Sequence, residues 1–417
     1  MKAREAPTWE SAKWVGALDL PATFAPSIKL VDGDGYGTAR LLVRRDRRPV
    51  AFLEIGIADS QIDGAELDAL VSVWNSGPSS EHFSGGPAHP PLVSVVICTR
   101  NRAELLKEAL GSVLMCDYAN FEVIVVDNAS DDDSTLRYVD GLADPRVRAI
   151  SEPVPGLSGA RNAGIKSARG ELIAFTDDDV VVDKMWLLWF DMAMRSEPEV
   201  GCVTGLVPSG ELRTPTQWMF EKQVHWSNLT RERFHMSAPP AGNRLFPFQV
   251  GVYGAGANFA MPRSVLLELG GFDEGLGIGS PAGGGEDIDM FVRVLLDGRP
   301  LIYEPAVIAW HRHRSDLAAL AAQAHGYGLG LGAWLTKVAC DRKLRPMALK
   351  RMWDVALHMR GMMSAPEVEG VEQPAGLRRT QIAGLLRGPL AYARSRRQHR
   401  RARPLAGQYT SRLEGLG

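Results

Sequence analysis

The chain has 417 residues, of which 45% are hydrophobic and 23% charged, and a formal net charge of −2. This length allows one to three domains with a sizeable core, and the composition is that of a globular protein rather than a disordered or fibrous one. The near-neutral balance gives no whole-molecule attraction to nucleic acid, and four scattered cysteines without a CxxC pair exclude a disulfide scaffold or thiolate metal cluster.

The first ten residues hold no apolar signal core, and no uninterrupted apolar run reaches about 18 residues. Leu317 to Val338 comes nearest, but Gln323, His325 and several glycines break it. The expected setting is cytoplasmic, with the cysteines as free thiols in a reducing compartment.

Residues 1–91 read as a small β-rich accessory region. Ala39 to Val43 and Val50 to Ile55 are expected to form a hairpin around a polar turn from Arg44 to Pro49, and Ala65 to Asn75 a short helix. The Gly-, Pro- and Ser-rich stretch Ser76 to Pro91 reads as a linker. From Leu92 the pattern changes. Strands are expected at Val93 to Cys98, Phe121 to Val126, Val147 to Ser151 and Leu172 to Thr176. Helices are expected between them at Ala103 to Leu114, Asp131 to Val139 and Ser158 to Ser167. This rhythm implies βαβ units and an open, mostly parallel sheet flanked by helices. The polar residues that follow each strand then face one crevice at the sheet's C-terminal edge.

The chemistry is concentrated at Asp177, Asp178 and Asp179, directly after the Leu172 to Thr176 strand. Three carboxylates at one strand end suit a hard cation such as Mg²⁺, which takes one or two carboxylates and phosphate oxygens. The same residues also suit an acidic surface turn. Arg161, in Gly159-Ala160-Arg161-Asn162-Ala163-Gly164, presents a planar fork that matches phosphate oxygens, with Asn162 placed to orient it. A plain exposed helix arginine is the alternative. Farther on, Tyr253 to Phe259 reads as a Gly-punctuated strand, Ile288 to Leu296 as a helix and Leu301 to Trp310 as a strand. The aromatic stretch with Trp218, Phe220, Trp226, Phe234 and Phe246 suits either a sugar pocket or ordinary packing.

These stretches, in order, resemble the family 2 glycosyltransferases of the GT-A fold. The resemblance rests on Val93 to Arg102, Val125 to Ser130, Gly159 to Gly164, Phe175 to Asp179, Gly270 to Glu274 and Gly284 to Asp289, and covers roughly Leu92 to Arg314. It implies a catalytic domain at 92–315 that binds a nucleoside diphosphate sugar, of the UDP type by family habit, together with Mn²⁺ or Mg²⁺. It implies that Asp127 meets the nucleotide base, although a helix N-cap is the other use of a carboxylate there. It places Thr99 and Arg100 around the nucleoside, Asp179 on the metal, and Asp177 on ribose or metal. Asp178 lies between them, and the sequence does not settle which pair acts.

The resemblance further makes Asp287 the general base that takes the proton from a hydroxyl acceptor, with Glu286 as an acceptor contact. That assignment implies in-line displacement and inversion. Both acids also suit simple capping of the helix that follows. His311 is expected to complete the metal site, with His313 as its rival two residues on.

Residues 316–417 read as a helical tail. From Cys340 onward it carries sixteen Lys and Arg against six Asp and Glu, a net of about +10. Arg394, Arg396, Arg397, Arg400, Arg401 and Arg403 cluster beside the apolar run Ile382 to Tyr392. This suits contact with an anionic membrane surface, while a disordered tail or solvated helical face also fits. No nucleic-acid motif accompanies it. The expected function is an inverting, metal-dependent glycosyltransferase. A nucleotide-sugar-binding protein without transfer activity and a nucleotidyltransferase are the alternatives.

Overall fold

The computed structural model describes residues 5–75, 89–224, 226–351, 354 and 376–402. Residues 76–88 of the linker and the end of the tail, with Arg403, therefore lie outside the described residues.

The N-terminal region contains β1 (Lys13–Leu20), β2 (Ser27–Lys29), β3 (Thr38–Arg45), β4 (Arg48–Gly56), β5 (Gln61–Asp63) and α1 (Gly64–Asn75). β3 and β4 form the expected hairpin, but the turn is shorter than expected. Asp46 and Arg47 alone form it, both at positive φ (47° and 63°), which matches a right-twisted two-residue hairpin. β1 was not legible in the sequence, because it alternates only weakly; it pairs parallel with β3. One face of this sheet packs with α1 around Leu41, Val43, Ile55, Leu67 and Val71. From the other, Leu42 meets Leu206, Ile308 and Trp310 of the main sheet. Arg44 pairs with Asp183, and Arg48 with Glu304 at 3.1 Å. The accessory region is thus clamped onto the central domain.

The central domain runs β6 (Val93–Thr99), α2 (Ala103–Leu114), β7 (Phe121–Asn128), α3 (Ser134–Leu142), β8 (Val147–Glu152), α4 (Leu157–Ser167), β9 (Leu172–Asp177), β10 (Val180–Val182), α5 (Trp186–Met194), β11 (Cys202–Leu206), α6 (Pro215–Gln223), β12 (Glu232–Phe234), β13 (Asn258–Pro262), α7 (Arg263–Glu268), α8 (Glu286–Leu296) and β14 (Leu301–His311). After it come α9 (Leu317–Cys340), α10 (Leu344–Lys350) and a C-terminal helix, Leu377–Ala402. The sheet order is β10-β14-β11-β13-β9-β6-β7-β8, with β12 on β14. β6 to β9 are mutually parallel, and β10, β12 and β13 run antiparallel to their neighbours.

The chain moves outward from β6 to β8 and then returns to the far side of β6 as β9. The strand order therefore reverses between β6 and β9, where Cys98 lies in register with Asp177. A crevice opens at such a reversal.

Two expected elements shift. α3 begins at Ser134 rather than Asp131, because Asp131 is held in the loop by Asn101, each donating an N–H to the other at 2.8 Å. The strand expected from Tyr253 starts only at Asn258. Gly254 has φ 105°, and a Cβ there would lie 2.6 Å from that of Thr204, so residues 253–257 form a tight loop against β11.

Below the sheet's opposite edge, Glu122 is 2% exposed. It accepts from Ser94 Oγ at 2.6 Å and from Arg169 N and Nε at 2.8 Å, and it pairs with Arg148. Burial alone would raise its carboxyl, but these donors outweigh it and hold the group at about 2. This lowered value means its stabilisation is full above the unfolded value of about 4.3 and fades as pH falls toward 2. Glu122→Gln is expected to cost about 3 kcal/mol at neutral pH and to flatten the acid limb of a denaturation series over that window. An unchanged limb would show that Glu122 is not the titrating anchor.

Candidate functional site

β9 delivers Asp177 to the crevice, and the turn into β10 carries Asp178 and Asp179. β10 pairs antiparallel with the end of β14, placing Val180 opposite His311. That pairing brings His311 Nε2 to 3.2 Å from Asp179 Oδ1. Asp177, Asp179 and His311 each offer one ligand atom, and all three atoms lie within 4.8 Å of one another.

Two carboxylate oxygens and an imidazole nitrogen at this spacing suit a divalent cation that accepts mixed oxygen and nitrogen donors, as Mn²⁺ does. Local charge agrees. Burial and then Asp179 raise the Asp177 carboxyl, against the pull of Arg161. Asp179 is held well below the usual carboxylate range because His311, then Arg102, outweighs its burial. Burial lowers His311, but Asp179 outweighs it and raises the imidazole.

Asp178 is turned to other work. It is 5% exposed, accepts from Thr99 Oγ1 at 2.7 Å and pairs with Arg102 at 3.2 Å. Burial and Asp179 push its carboxyl up to about 6. Asp178, which the sequence left unassigned between Asp177 and Asp179, and the Thr99 hydroxyl are thus bonded to each other, which pins the β9–β10 turn to β6. Arg102 also reaches Asp179 at 3.3 Å. The sequence reading passed over Arg102, although it follows Thr99-Arg100-Asn101 at the strand end. Arg100 is exposed and donates from Nε to Ala129 O at 3.1 Å. Asp127 is 4% exposed and accepts from Ser130 N at 3.3 Å, so it caps the β7–α3 loop. It also lines a depression of about 360 Å³ with Ser130, Ser151 and Glu152.

Arg161 departs most from expectation. It is 2% exposed, and the rings of Phe259 and Phe272 lie 5.5 and 5.4 Å from its guanidinium carbon. Its donors are engaged by Glu286 at 3.1 Å, Asp177 at 3.5 Å and Gly256 O at 2.8 Å. A guanidinium so enclosed is not open to phosphate; it ties the metal-side acid to the start of α8. Asn162 does not orient it. Asn162 instead clasps Phe272, donating to its carbonyl at 3.0 Å and accepting its N–H at 2.8 Å.

Glu286 is 5% exposed, and burial and Asp287 push its carboxyl up to about 7. Such a buried, arginine-paired carboxylate is not placed for an acceptor contact. Asp287 is half-buried and accepts from Gly256 N at 3.0 Å and from Ile288 N at 2.8 Å. Gly256 must be glycine for this, since a Cβ there would lie 2.9 Å from Asp287 Oδ2. On α9, Tyr327 is 40% exposed, and its hydroxyl accepts from Gln323 Nε2 at 2.9 Å. The sequence carried no signal for Tyr327, which sits in an apolar, glycine-rich run.

His313 lies behind His311, with their Nδ1 atoms 2.8 Å apart. Phe220 packs on it at 4.4 Å between ring centroids, and Trp226 stands 6.3 Å away. Phe234 and Phe246 lie in the core against Tyr253. These aromatics therefore pack, and Phe220 and Trp226 wall in the histidines. Burial and then His311 hold His313 well below its ordinary value, so it is neutral. A neutral His313 offers one lone pair to a proton on His311 Nδ1, which leaves His311 Nε2 free for a cation. His313→Phe is expected to weaken Mn²⁺ binding about tenfold, read by Mn²⁺ electron paramagnetic resonance. Unaltered affinity would reduce His313 to packing.

An Asp-Asp-His group on one side of the strand-order reversal and an acidic helix start on the other make up the candidate site. Residues 94–269 match the model described as Glycosyl transferase family 2. The chain is 29% identical over 190 residues to the glucosyl-dolichyl phosphate glucuronosyltransferase of Haloferax volcanii, covering 44% of this chain and 57% of that one. It is 28% identical over 253 residues to the pre-mycofactocin glycosyltransferase of Mycobacterium tuberculosis, covering 58% and 47%. It thus spans under two thirds of either relative. Among solved structures, the mannosyltransferase PcManGT from Pyrobaculum calidifontis, in complex with GDP-Man and Mn²⁺, is similar at 18% identity with a TM-score of 0.46. That likeness covers 78% of this chain and 94% of that one.

Proposed function

We propose that residues 92–315 form the catalytic domain of an inverting, metal-assisted glycosyltransferase. It moves a sugar from a nucleoside diphosphate, of the uridine type, to a hydroxyl acceptor. The observation that supports this most is the potential metal-ligand set Asp177, Asp179 and His311, which Arg161 links to the start of α8 by pairing with both Asp177 and Glu286.

Asp177, Asp179 and His311 would hold Mn²⁺ or Mg²⁺, which as a Lewis acid neutralises charge on a departing diphosphate. Asp127 and the loop around Arg100 would receive the base and ribose. Asp287 accepts the proton of the acceptor hydroxyl as that oxygen bonds to the anomeric carbon. The bond from that carbon to the diphosphate oxygen breaks on the opposite side, and the nucleoside diphosphate leaves with the electron pair. Arg161 acts through position, holding Asp177 and Glu286 in register across the cleft.

β3 and β4 brace β14, and the helices described after residue 316 carry the basic face that would set the enzyme at the cytoplasmic face of a membrane. Among the described residues no helix is long and apolar enough to cross one. The test is a panel of nucleotide sugars with Mn²⁺, read as release of nucleoside diphosphate. Nucleotide binding with no release from any donor would refute transfer. Pyrophosphate release from a nucleoside triphosphate would identify nucleotidyl transfer instead.

A further inference from the structure

The C-terminal helix Leu377–Ala402 rests on α9 through glycines. A Cβ on Gly328 would come within 2.0 Å of Gln381 O, and one on Gly332 within 2.2 Å of Leu385 O. The residues buried by this contact, Leu377, Gly384, Gly388, Ala391 and Ser395, repeat at helical spacing along one face.

The opposite face is different. Leu386 and Leu390, one turn apart, are 76% and 56% exposed. At 100° per residue, Arg379, Ala383, Ala393 and Arg397 continue the same stripe, while Arg387 and Arg394 border it. The four arginines are exposed, and none makes an ion pair among the described residues, whereas Arg396, on another side, pairs with Asp273 at 3.2 Å.

We propose that this face docks on an anionic lipid bilayer, with the helix lying in the plane of the interface. Leu386 and Leu390 would enter below the headgroups while the arginines meet lipid phosphate. A soluble polyanion satisfies the arginines but has no apolar layer for the leucines, and a neutral bilayer has the reverse deficiency. Charge and apolar surface on one stripe select a surface that supplies both.

The position matters for the cleft. α9 presents its other glycines to the loop before α8: a Cβ on Gly330 would lie 2.7 Å from the Gly284 carbonyl carbon. The C-terminal helix and α9 therefore lie as two layers between the docking face and the loop that leads into Asp287 at the start of α8. This deepens the membrane setting of the proposed function, and it is read without turnover.

The full chain would be sedimented with phosphatidylcholine vesicles, with and without phosphatidylglycerol. Binding to the anionic vesicles alone is expected, and it should weaken as salt rises. Each outward arginine reversed, in Arg387→Glu or Arg394→Glu, changes the charge by two and is expected to weaken binding about thirtyfold. The double variant Leu386→Ser, Leu390→Ser should abolish it, with thermal melts confirming that these outward substitutions leave the fold intact. No sedimentation with anionic vesicles overturns the proposal, as does binding that survives the serine variant. Retention on heparin at equal strength before and after the leucine substitutions, without vesicle binding, would identify a soluble polyanion instead.

Discussion

Asp179→Asn is expected to abolish measurable Mn²⁺ binding and to lower turnover by about a thousandfold. Asp179 lies 3.2 Å from His311 and shares Arg102 with Asp178, so it is the acid on which the metal group closes. An amide offers a weaker oxygen donor and no charge to balance the cation. The fold should survive, since Asp178, through Thr99 and Arg102, independently pins the turn. The neighbouring Asp178→Asn is therefore the informative control: it should lower the melting temperature more than the metal affinity. If the two variants lose Mn²⁺ equally, the assignment of Asp177, Asp179 and His311 fails. If Asp179→Asn keeps full affinity, the metal site lies elsewhere.

The second large effect is expected at Asp287. Asp287→Asn should lower turnover about a thousandfold, within the range assigned to general-base catalysis, while Mn²⁺ and nucleotide binding stay unchanged. Asp287 is half-buried, and backbone N–H groups of Gly256 and Ile288 aim its carboxylate. An asparagine oxygen can still accept from one of them, so the loop keeps its shape while the proton acceptor is lost. Glu286→Gln separates the two acids. Glu286 is buried against Arg161, and removing its charge leaves a buried guanidinium short of a partner, which typically costs about 3 kcal/mol. That variant should lose stability first, whereas the Asp287 variant loses turnover at unchanged stability. Equal turnover in Asp287→Asn and the parent chain would remove Asp287 as the base.

The sequence by itself carried the order of strands and helices from Val93 to Asp177, because buried parallel strands read as unbroken apolar runs and their helices keep a 3.6-residue period. It also marked the strand ends where carboxylates and a histidine gather, while leaving an acidic turn or a helix cap as other uses for them. Asp177, Asp179 and His311 come together as the sequence reading expected.

The partners of these groups were decided only in three dimensions. Nothing local distinguishes Asp178 from its two neighbours; Thr99 and Arg102, 79 and 76 residues away, do so. Arg161 reads as a phosphate ligand until Phe259, Phe272 and Glu286 close around it from distant parts of the chain. Tyr327 lies in a stretch whose composition signals only helix, and which arginines of the last helix face outward beside Leu386 and Leu390 is set by its packing on α9. Local pattern determines which elements form, because it follows from backbone sterics and burial along a few turns. Which side chain is free to meet a ligand depends on charges and rings brought in from elsewhere, and only packing sets those.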